Sequence, residues 1–231
     1  MLFRSSGVTG VEERAVRQSA MEAGAREVYL IEEPLAAAIG ADLDITKPYG
    51  QMIIDIGGGT TDIAVISLQG IVCSRSIRLG GDKFDEAIVR YIRRHHNLQI
   101  SERFAEDLKI AVGTAFPHGL SENMTMEVRG RDLLSGMPKS ISFSSVESFE
   151  AMQEPLENIV TAVRQVLAET PPELCADIME NGITLTGGGA MLHGIDLLLQ
   201  KQLGLRATVA DDPISCVARG TGKALQQVHN L

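Results

Sequence analysis

The chain has 231 residues, of which 44% are hydrophobic, so it can bury a sizeable core in one or two compact units. Its net charge of −9 argues against a nucleic-acid-binding groove, which would carry a basic patch or stripe. No apolar run approaches the roughly 20 residues that a membrane-spanning helix needs, so we expect a cytoplasmic protein.

The amino-terminal part is predicted to form a helix, a short strand and a second helix. Thr9 and Glu12 have the spacing of a capping box, which opens a helix. Residues 27–31 are predicted to form a strand, and Pro34 begins the next helix. The polar stretch 42–50 is interpreted as a linker between two domains.

The segment DIGGGTTD, residues 55–62, places a carboxylate at a strand end directly before a glycine turn. The apolar runs 51–56 and 63–66 predict buried strands on either side of that turn. Glycines there can adopt positive φ and let a ligand approach bare backbone N–H groups, so the segment indicates a phosphate and metal site. On the pattern alone, the alternative is a tight hairpin whose glycines only serve the turn.

The middle of the chain is predicted to be mostly helical. Apolar spacing indicates an amphipathic helix over 84–92. Three elements follow, namely a helix over 101–116, a strand-bearing insertion over 124–143 and a long helix with apolar positions over 156–167. Pro171 and Pro172 are expected to end that long helix.

A second glycine cluster, TGGGA at 186–190, follows a predicted strand over 183–185 and precedes a predicted helix over 192–203. Two such loops suggest a nucleotide held between two glycine-rich edges. Their spacing matches neither a Walker loop nor a dinucleotide fingerprint. Asp212 as cap and Pro213 as first residue are expected to open the last helix.

Three motifs together resemble the actin, Hsp70 and sugar-kinase superfamily, namely IEEPLAAAIG at 31–40, DIGGGTTDIAVIS at 55–67 and TGGGA at 186–190. Within that superfamily the chain is most similar to the bacterial actins of the MreB family. The resemblance covers nearly the whole chain, through SGVTGVEERAV, IRLGGDKFDEAIV and DDPISCVARGTGKAL. It implies an α/β, actin-like ATPase fold of the ribonuclease H-like kind, with ATP and Mg²⁺ as cofactors.

The resemblance also implies a domain organisation. The expected segments are a remnant of the first actin-like domain (1–48), the core of the second domain (49–100 and 151–210), an inserted small subdomain (101–150) and a last helix returning to the first domain (211–231). The family's first-phosphate loop, of the DxGT kind, is expected upstream of Ser6, where this sequence has none. We therefore expect a chain truncated at its amino terminus, with the second domain largely complete, the first partial, and the family's weak ATPase activity absent.

By this resemblance, Asp55 is the candidate for holding Mg²⁺ through water, because a hard cation prefers carboxylate and retains much of its hydration. A buried acid at a strand end could instead cap the glycine turn. Glu33, with Thr60 as its helper, is the candidate for orienting or deprotonating the attacking water. The alternative for Glu32 and Glu33 is a pair of acids favoured by the dipole at a helix start.

The resemblance further implies which residues contact the nucleotide. The segment EDLK borders the adenosine in the family, where Lys and Glu contact the ribose or the base edge. Glu106 and Lys109 share a helix face, although an ordinary surface ion pair has the same spacing. The family often has a further Glu where this chain has Ala111. The expected contacts are Gly57, Gly58, Gly59, Thr60, Glu106, Asp107, Leu108, Lys109, Gly187, Gly188, Gly189 and Ala190.

The function implied is that of an ATP-dependent cytoskeletal protein, whose filaments at the inner face of the membrane direct rod cell shape and cell-wall synthesis. Its expected partners are further copies of itself and membrane proteins of cell shape and wall synthesis, with no nucleic acid. One alternative is an Hsp70-like chaperone ATPase module, which is opposed by Glu32 where those proteins have Asn. The other is a small-molecule kinase, which would need an Asp base beside a polar cleft.

Overall fold

A computed structural model describes residues 2–4, 10–117 and 123–228. The predicted helix cap at Thr9 lies outside these residues. The helices are α1 (Gly10–Glu22), α2 (Glu33–Gly40), α3 (Gly81–His96), α4 (Glu102–Val112), α5 (Ser145–Glu169), α6 (Pro172–Asn181), α7 (Ile195–Leu203) and α8 (Cys216–Val228). Short 3-10 turns at Gly188–Met191 and Pro213–Ser215 precede the last two helices.

The strands form a main sheet and two smaller ones. They are β1 (Leu2–Arg4), β2 (Leu30–Glu32), β3 (Gln51–Ile56), β4 (Thr61–Ser67), β5 (Gly70–Ile77), β6 (Leu98–Gln99), β7 (Thr125–Asp132), β8 (Pro138–Ser144), β9 (Ile183–Thr186) and β10 (Ala207–Val209). The main sheet has the order β10-β9-β3-β4-β5, in which β9 runs parallel to β3 and β4 returns antiparallel to it. The strands β6, β7 and β8 form an antiparallel sheet, while β1 pairs with β2 in parallel.

Strand β3 is buried on both faces, which explains why its sequence is a continuous apolar run. Successive side chains on a strand point to opposite faces. Met52 and Ile54 therefore contribute to the large core that residues of α3, α4 and α5 share. Ile53 instead belongs to a smaller apolar cluster with α2. The carboxyl end of this doubly covered strand carries Asp55.

Helices α2 and α8 cross at close range on the α2 side of the sheet. A Cβ at Gly220 would overlap the carbonyl oxygen of Ala36, and a Cβ at Gly40 would overlap that of Cys216. Asp42, just after α2, forms ion pairs with two cations of α8. The last helix therefore packs against α2, whereas its assignment to a first actin-like domain stays a prediction.

The long helix α5 begins well before the predicted position 156. It starts behind a capping box, in which Ser144 Oγ accepts from Glu147 N at 3.3 Å and Ser144 N donates to the Glu147 carboxylate at 2.9 Å. Pro155 lies buried inside the helix without ending it. Pro171 and Pro172 do follow its end, but Pro172 also opens α6, a helix that the sequence analysis did not predict.

Smaller differences concern element boundaries. Strand β2 spans Leu30–Glu32 rather than 27–31, and α4 ends at Val112. Asp212 precedes a 3-10 turn and makes no capping hydrogen bond with its side chain. The last helix starts after that turn, at Cys216. Among the helices described, none is long and apolar enough to cross a membrane.

Candidate functional site

Two acidic side chains lie opposite each other at the turn end of the β3–β4 hairpin. The antiparallel register pairs Asp55 with Asp62, and the parallel pairing with β9 places Thr186 on the other side of Asp55. Thr186 Oγ1 donates to Asp55 Oδ1 at 2.7 Å. The exposed fractions of Asp55 and Asp62 are only 5% and 1%. Burial raises the pKa of Asp55, the Thr186 hydrogen bond opposes that shift, and the charge of Asp62 adds to it.

Glu33 interacts electrostatically with both acids from the first turn of α2. Strand β2 ends at Glu32, and Pro34 in the first turn of α2 fixes the direction of the chain between the two elements. Burial, and then the charges of Asp62 and Asp55, raise the pKa of Glu33 to about 7. A carboxyl group with such a pKa can exchange a proton at neutral pH.

The glycine turn between β3 and β4 is held by the start of α3. Gly57 N donates to Thr60 O at 2.8 Å, which closes the turn. Gly81 N and Asp82 N of α3 donate to the carbonyl oxygens of Gly57 and Gly58, each at 2.9 Å. The positive φ expected of the three glycines is not adopted, because these hydrogen bonds set the turn without a left-handed residue.

The second glycine loop packs against the end of β3. Gly187 has a φ of 81°, and its N–H donates to Pro213 O at 2.9 Å. A Cβ at Gly187 or at Gly189 would overlap atoms of Ile56, the residue directly before the first glycine turn. Glycine permits both the left-handed backbone and the close approach. The two glycine loops therefore lie side by side at one edge of the sheet.

A cavity of about 560 Å³ opens between the two glycine loops and α4. The predicted contacts that line it are Gly57, Gly58, Glu106, Lys109, Gly188 and Gly189. Its apolar wall includes Ile110, Met124, Met191, Leu192 and Ile214. Bare backbone, a few polar groups and an apolar wall suit a ligand with one charged and one apolar end.

The other predicted contacts do not line this cavity, namely Gly59, Thr60, Asp107, Leu108, Gly187 and Ala190. Leu108 and Ala190 belong to the large core, because the backbone turns these side chains away from the cavity. Gly187 acts as a spacer against β3. Asp107 is exposed on α4.

Lys109 has a different partner from the one that its spacing suggested. Its ammonium lies 2.9 Å from Asp85 Oδ2 and 3.1 Å from the carbonyl oxygen of Gly81, both on α3. The alternative of an ordinary surface pair with Glu106 is therefore wrong. The ion pair joins two helices instead of two turns of one helix.

Sequence reasoning missed several residues of the site. Asp62 could have been found, since a hairpin with its turn at 57–60 places it opposite Asp55. Asp82 lines the cavity because the start of α3 docks on the glycine turn, and Ile214 because the second loop bonds to Pro213. Neither docking has a local signal in the sequence.

A magnesium ion at this site would need phosphate oxygens of a bound nucleotide in addition to protein carboxylates. Among the residues described, no group of three or more His, Cys, Asp or Glu side chains is placed to hold a metal ion. Mg²⁺ usually keeps several waters and takes one or two carboxylates together with phosphates of a bound ligand. Asp55 is the candidate for one such carboxylate, and its Oδ1 accepts a hydrogen bond from Thr186.

The comparison with known sequences covers the entire chain. Residues 1–231 match the family model described as MreB/Mbl protein. The chain is 54% identical over 222 residues to the cell shape-determining protein MreB of Escherichia coli (strain K12), covering 96% of this chain and 63% of that protein. It is 50% identical over 226 residues to the cell shape-determining protein Mbl of Bacillus subtilis (strain 168), covering 98% and 67%. The chain thus spans less than two thirds of the length of the Escherichia coli relative.

Solved structures give the same picture. MreB5 of Spiroplasma citri bound to ADP is 41% identical with a TM-score of 0.95, covering 98% of this chain and 69% of that one. The AMPPNP-bound form is 40% identical with a TM-score of 0.96, covering 99% and 68%. A MamK double helical filament, 22% identical with a TM-score of 0.77, covers 96% and 66% and shares the fold. These likenesses confirm the predicted α/β, actin-like fold.

Proposed function

Since the chain belongs to the MreB/Mbl protein family, we propose that it forms part of an actin-like cytoskeletal protein that binds ATP with Mg²⁺ and assembles into filaments. These filaments lie in the cytoplasm at the inner face of the membrane, act with membrane proteins of cell shape and wall synthesis, and direct rod shape. The names of the relatives, cell shape-determining proteins, support the cellular role. The ADP and AMPPNP complexes of MreB5 support the proposal that the ligand is an adenine nucleotide.

The observation that carries the proposal is the cavity between the two glycine loops. The absence of side chains at Gly57 and Gly58 lets phosphates approach closely at one side. Met191 and Ile214 offer an apolar surface for the base at another, while Lys109 and Glu106 provide polar contacts from α4.

Hydrolysis is assigned to the acids at the start of α2 and at the end of β3. Glu33 orients or deprotonates the attacking water, with Thr60 as its helper, and the pKa of about 7 of Glu33 supports this role. Asp55 would hold Mg²⁺ through water, in an orientation that its hydrogen bond from Thr186 fixes. When bound, the ion supplies neutralisation of the phosphate charge.

Sedimentation tests the filament proposal in the full-length protein that carries this chain. It should pellet with ATP above a threshold concentration, because head-to-tail contacts generate open filaments when the rotation does not close. Asp55→Asn, which keeps the size of the side chain, should pellet less with the same nucleotide. A protein that binds ATP yet stays in the supernatant, with turnover that responds to unfolded peptide, would favour the chaperone alternative.

A further inference from the structure

We propose that Asp85 is a positioning residue, which aims the ammonium of Lys109 into the cavity as a single directed hydrogen-bond donor. The proposal rests on the proposed function and concerns how the same cavity distinguishes its ligand. Asp85 itself lies outside the cavity wall, so it acts through Lys109.

The ion pair is fixed at the junction of three elements. The side chains of Lys109 and Asp85 have exposed fractions of 16% and 10%, and their charged atoms are 2.9 Å apart. A Cβ at Gly81 would lie 3.3 Å from Lys109 Nζ, so the ammonium rests against the bare backbone there. Because Gly81 N is bonded to Gly57 O, the ammonium keeps a set position relative to the glycine turn.

The hydrogen bonds of Lys109 determine where its remaining N–H group points. An ammonium group has three donors. Asp85 Oδ2 and the carbonyl oxygen of Gly81 take two of them, which leaves the third for the cavity that Lys109 lines. The negative charge of Asp85 offsets that of the ammonium. A neutralised ammonium favours an acceptor at one point, whereas a free cation attracts phosphate from many directions.

The charges of the cavity support the same conclusion. Among the described residues that line it, Lys109 is the single Lys or Arg, and the acids Asp82 and Glu106 lie in the same wall. Such a wall attracts polyphosphate weakly by charge alone. Lys109 therefore contributes more to recognition of the nucleoside part of the ligand than to affinity for its phosphates.

Stability does not explain why a carboxylate occupies position 85. The residue is 7% exposed, and its Oδ1 is buried without a hydrogen-bond partner among the residues described. Burial raises the pKa of Asp85, and the hydrogen bond and charge of Lys109 oppose that shift. Replacing a buried pair of this kind by apolar residues is often neutral or stabilising. The position that Asp85 gives to Lys109 accounts for a carboxylate at this place.

Equilibrium titrations of the full-length protein with Mg-ATP and with Mg-tripolyphosphate test the proposal. Asp85→Asn should weaken Mg-ATP binding about tenfold or more, the loss of one charge-assisted hydrogen bond. It should not weaken Mg-tripolyphosphate binding, because the uncompensated ammonium attracts phosphate. Glu86→Gln is the matched control. Glu86 lies on the same helix, and the partner of its carboxylate, Lys83, is exposed. Removing this carboxylate should leave the affinities for Mg-ATP and for Mg-tripolyphosphate unchanged.

The double variant Asp85→Asn/Lys109→Met provides a second comparison, since it contains no unpaired buried charge. Its affinity for Mg-ATP should equal that of Lys109→Met alone. Equal losses for ATP and tripolyphosphate in Asp85→Asn, or an additive loss in the double variant, would overturn the proposal. If the unmodified protein bound no Mg-ATP, both the proposed function and this inference would be wrong. If Asp85→Asn bound Mg-ATP as tightly as the unmodified protein does, this inference alone would be wrong.

Discussion

Glu33 and Asp55 both lie within the electrostatic influence of Asp62, whose negative charge makes the ionisation of each less favourable. Glu33 is more accessible than Asp55, and its pKa is about 7, so it can exchange a proton near neutral pH. Asp55 is deeper and is tied to Thr186 by a hydrogen bond. Two acids close in space are thereby suited to different roles.

Replacing Glu33 tests its catalytic role. In the full-length protein, Glu33→Ala should bind Mg-ATP normally and hydrolyse it at least about tenfold more slowly, which is the low end of what a positioned general base contributes. Phosphate release under saturating ATP measures the effect. Glu32→Ala, at the neighbouring position, is the control and should retain turnover. Unchanged turnover in Glu33→Ala would remove Glu33 from the mechanism.

The raised pKa of Glu33 also predicts how stability depends on pH. The carboxyl ionises near 4.5 when unfolded and at about 7 in the folded protein. Its contribution to the free energy of unfolding is therefore fully present below pH 4.5 and is lost as the pH rises through 7. Glu33→Gln, which cannot ionise, should lose less stability over that range. Urea unfolding of the protein without nucleotide or Mg²⁺ measures this, and equal losses in both proteins would contradict it.

Sequence reasoning proposed Asp55 and Glu33 as site residues but did not propose their partners. Both assignments came from the family resemblance of the motifs that contain them. The partner of Lys109 was not found, since Asp85 lies on another helix and only the packing of α3 against α4 brings the two together. A pair on one helix has a spacing signal; a pair between helices has none.

At the scale of elements, the close crossing of α2 and α8 depends on glycine residues at the contact. Gly220→Ala should reduce the free energy of unfolding by about 2 to 3 kcal/mol, because the added methyl overlaps the carbonyl oxygen of Ala36 and the helices must separate. Gly222→Ala is the control on the same helix. A Cβ there meets no atom within 4 Å, so this substitution should stabilise by about 0.5 to 1 kcal/mol. Denaturant unfolding compares the two, and similar effects of both would refute the close crossing.

The helices show where local signals stop being informative. The capping box of Ser144 and Glu147 was present in the sequence, yet Pro155 and the polar residues around it concealed the first part of α5. Burial of one face against the large core holds that part helical despite the proline, because most helical stability in proteins comes from packing. Strands β3 and β4 were predicted closely, since their uninterrupted apolar runs carry the packing information themselves.

Across the whole molecule, the apolar clusters differ greatly in size. One large cluster joins the main sheet to α3, α4 and α5, while small clusters hold α2 and α8. Backbone amides of β3, β4 and β9 should therefore exchange slowest with solvent deuterium, and those of α8 considerably earlier. Hydrogen exchange followed by mass spectrometry measures the order. Equal protection of α8 and β3 would show that the chain opens as one cooperative unit.

The fold as a whole was predictable because its motifs occur in a fixed order along nearly the entire chain. The shape of the cavity was not, since it depends on the docking of α3 on one glycine loop and of the 213–215 turn on the other. Both contacts are made by backbone atoms, which leave little trace in residue identity. The division into domains expected from the sequence stays a prediction.

Burial of β3 on both faces has a consequence for how the protein folds. A strand with one polar face is aligned by its hydrophobic pattern, because a shift by one residue would bury the wrong side. From Met52 to Ile54 that penalty is absent, since each side chain is apolar and either face would accept it. Asp55 is the exception, because a shift would separate it from Thr186. Asp55, the residue proposed to hold Mg²⁺, would then also fix the pairing register of strand β3.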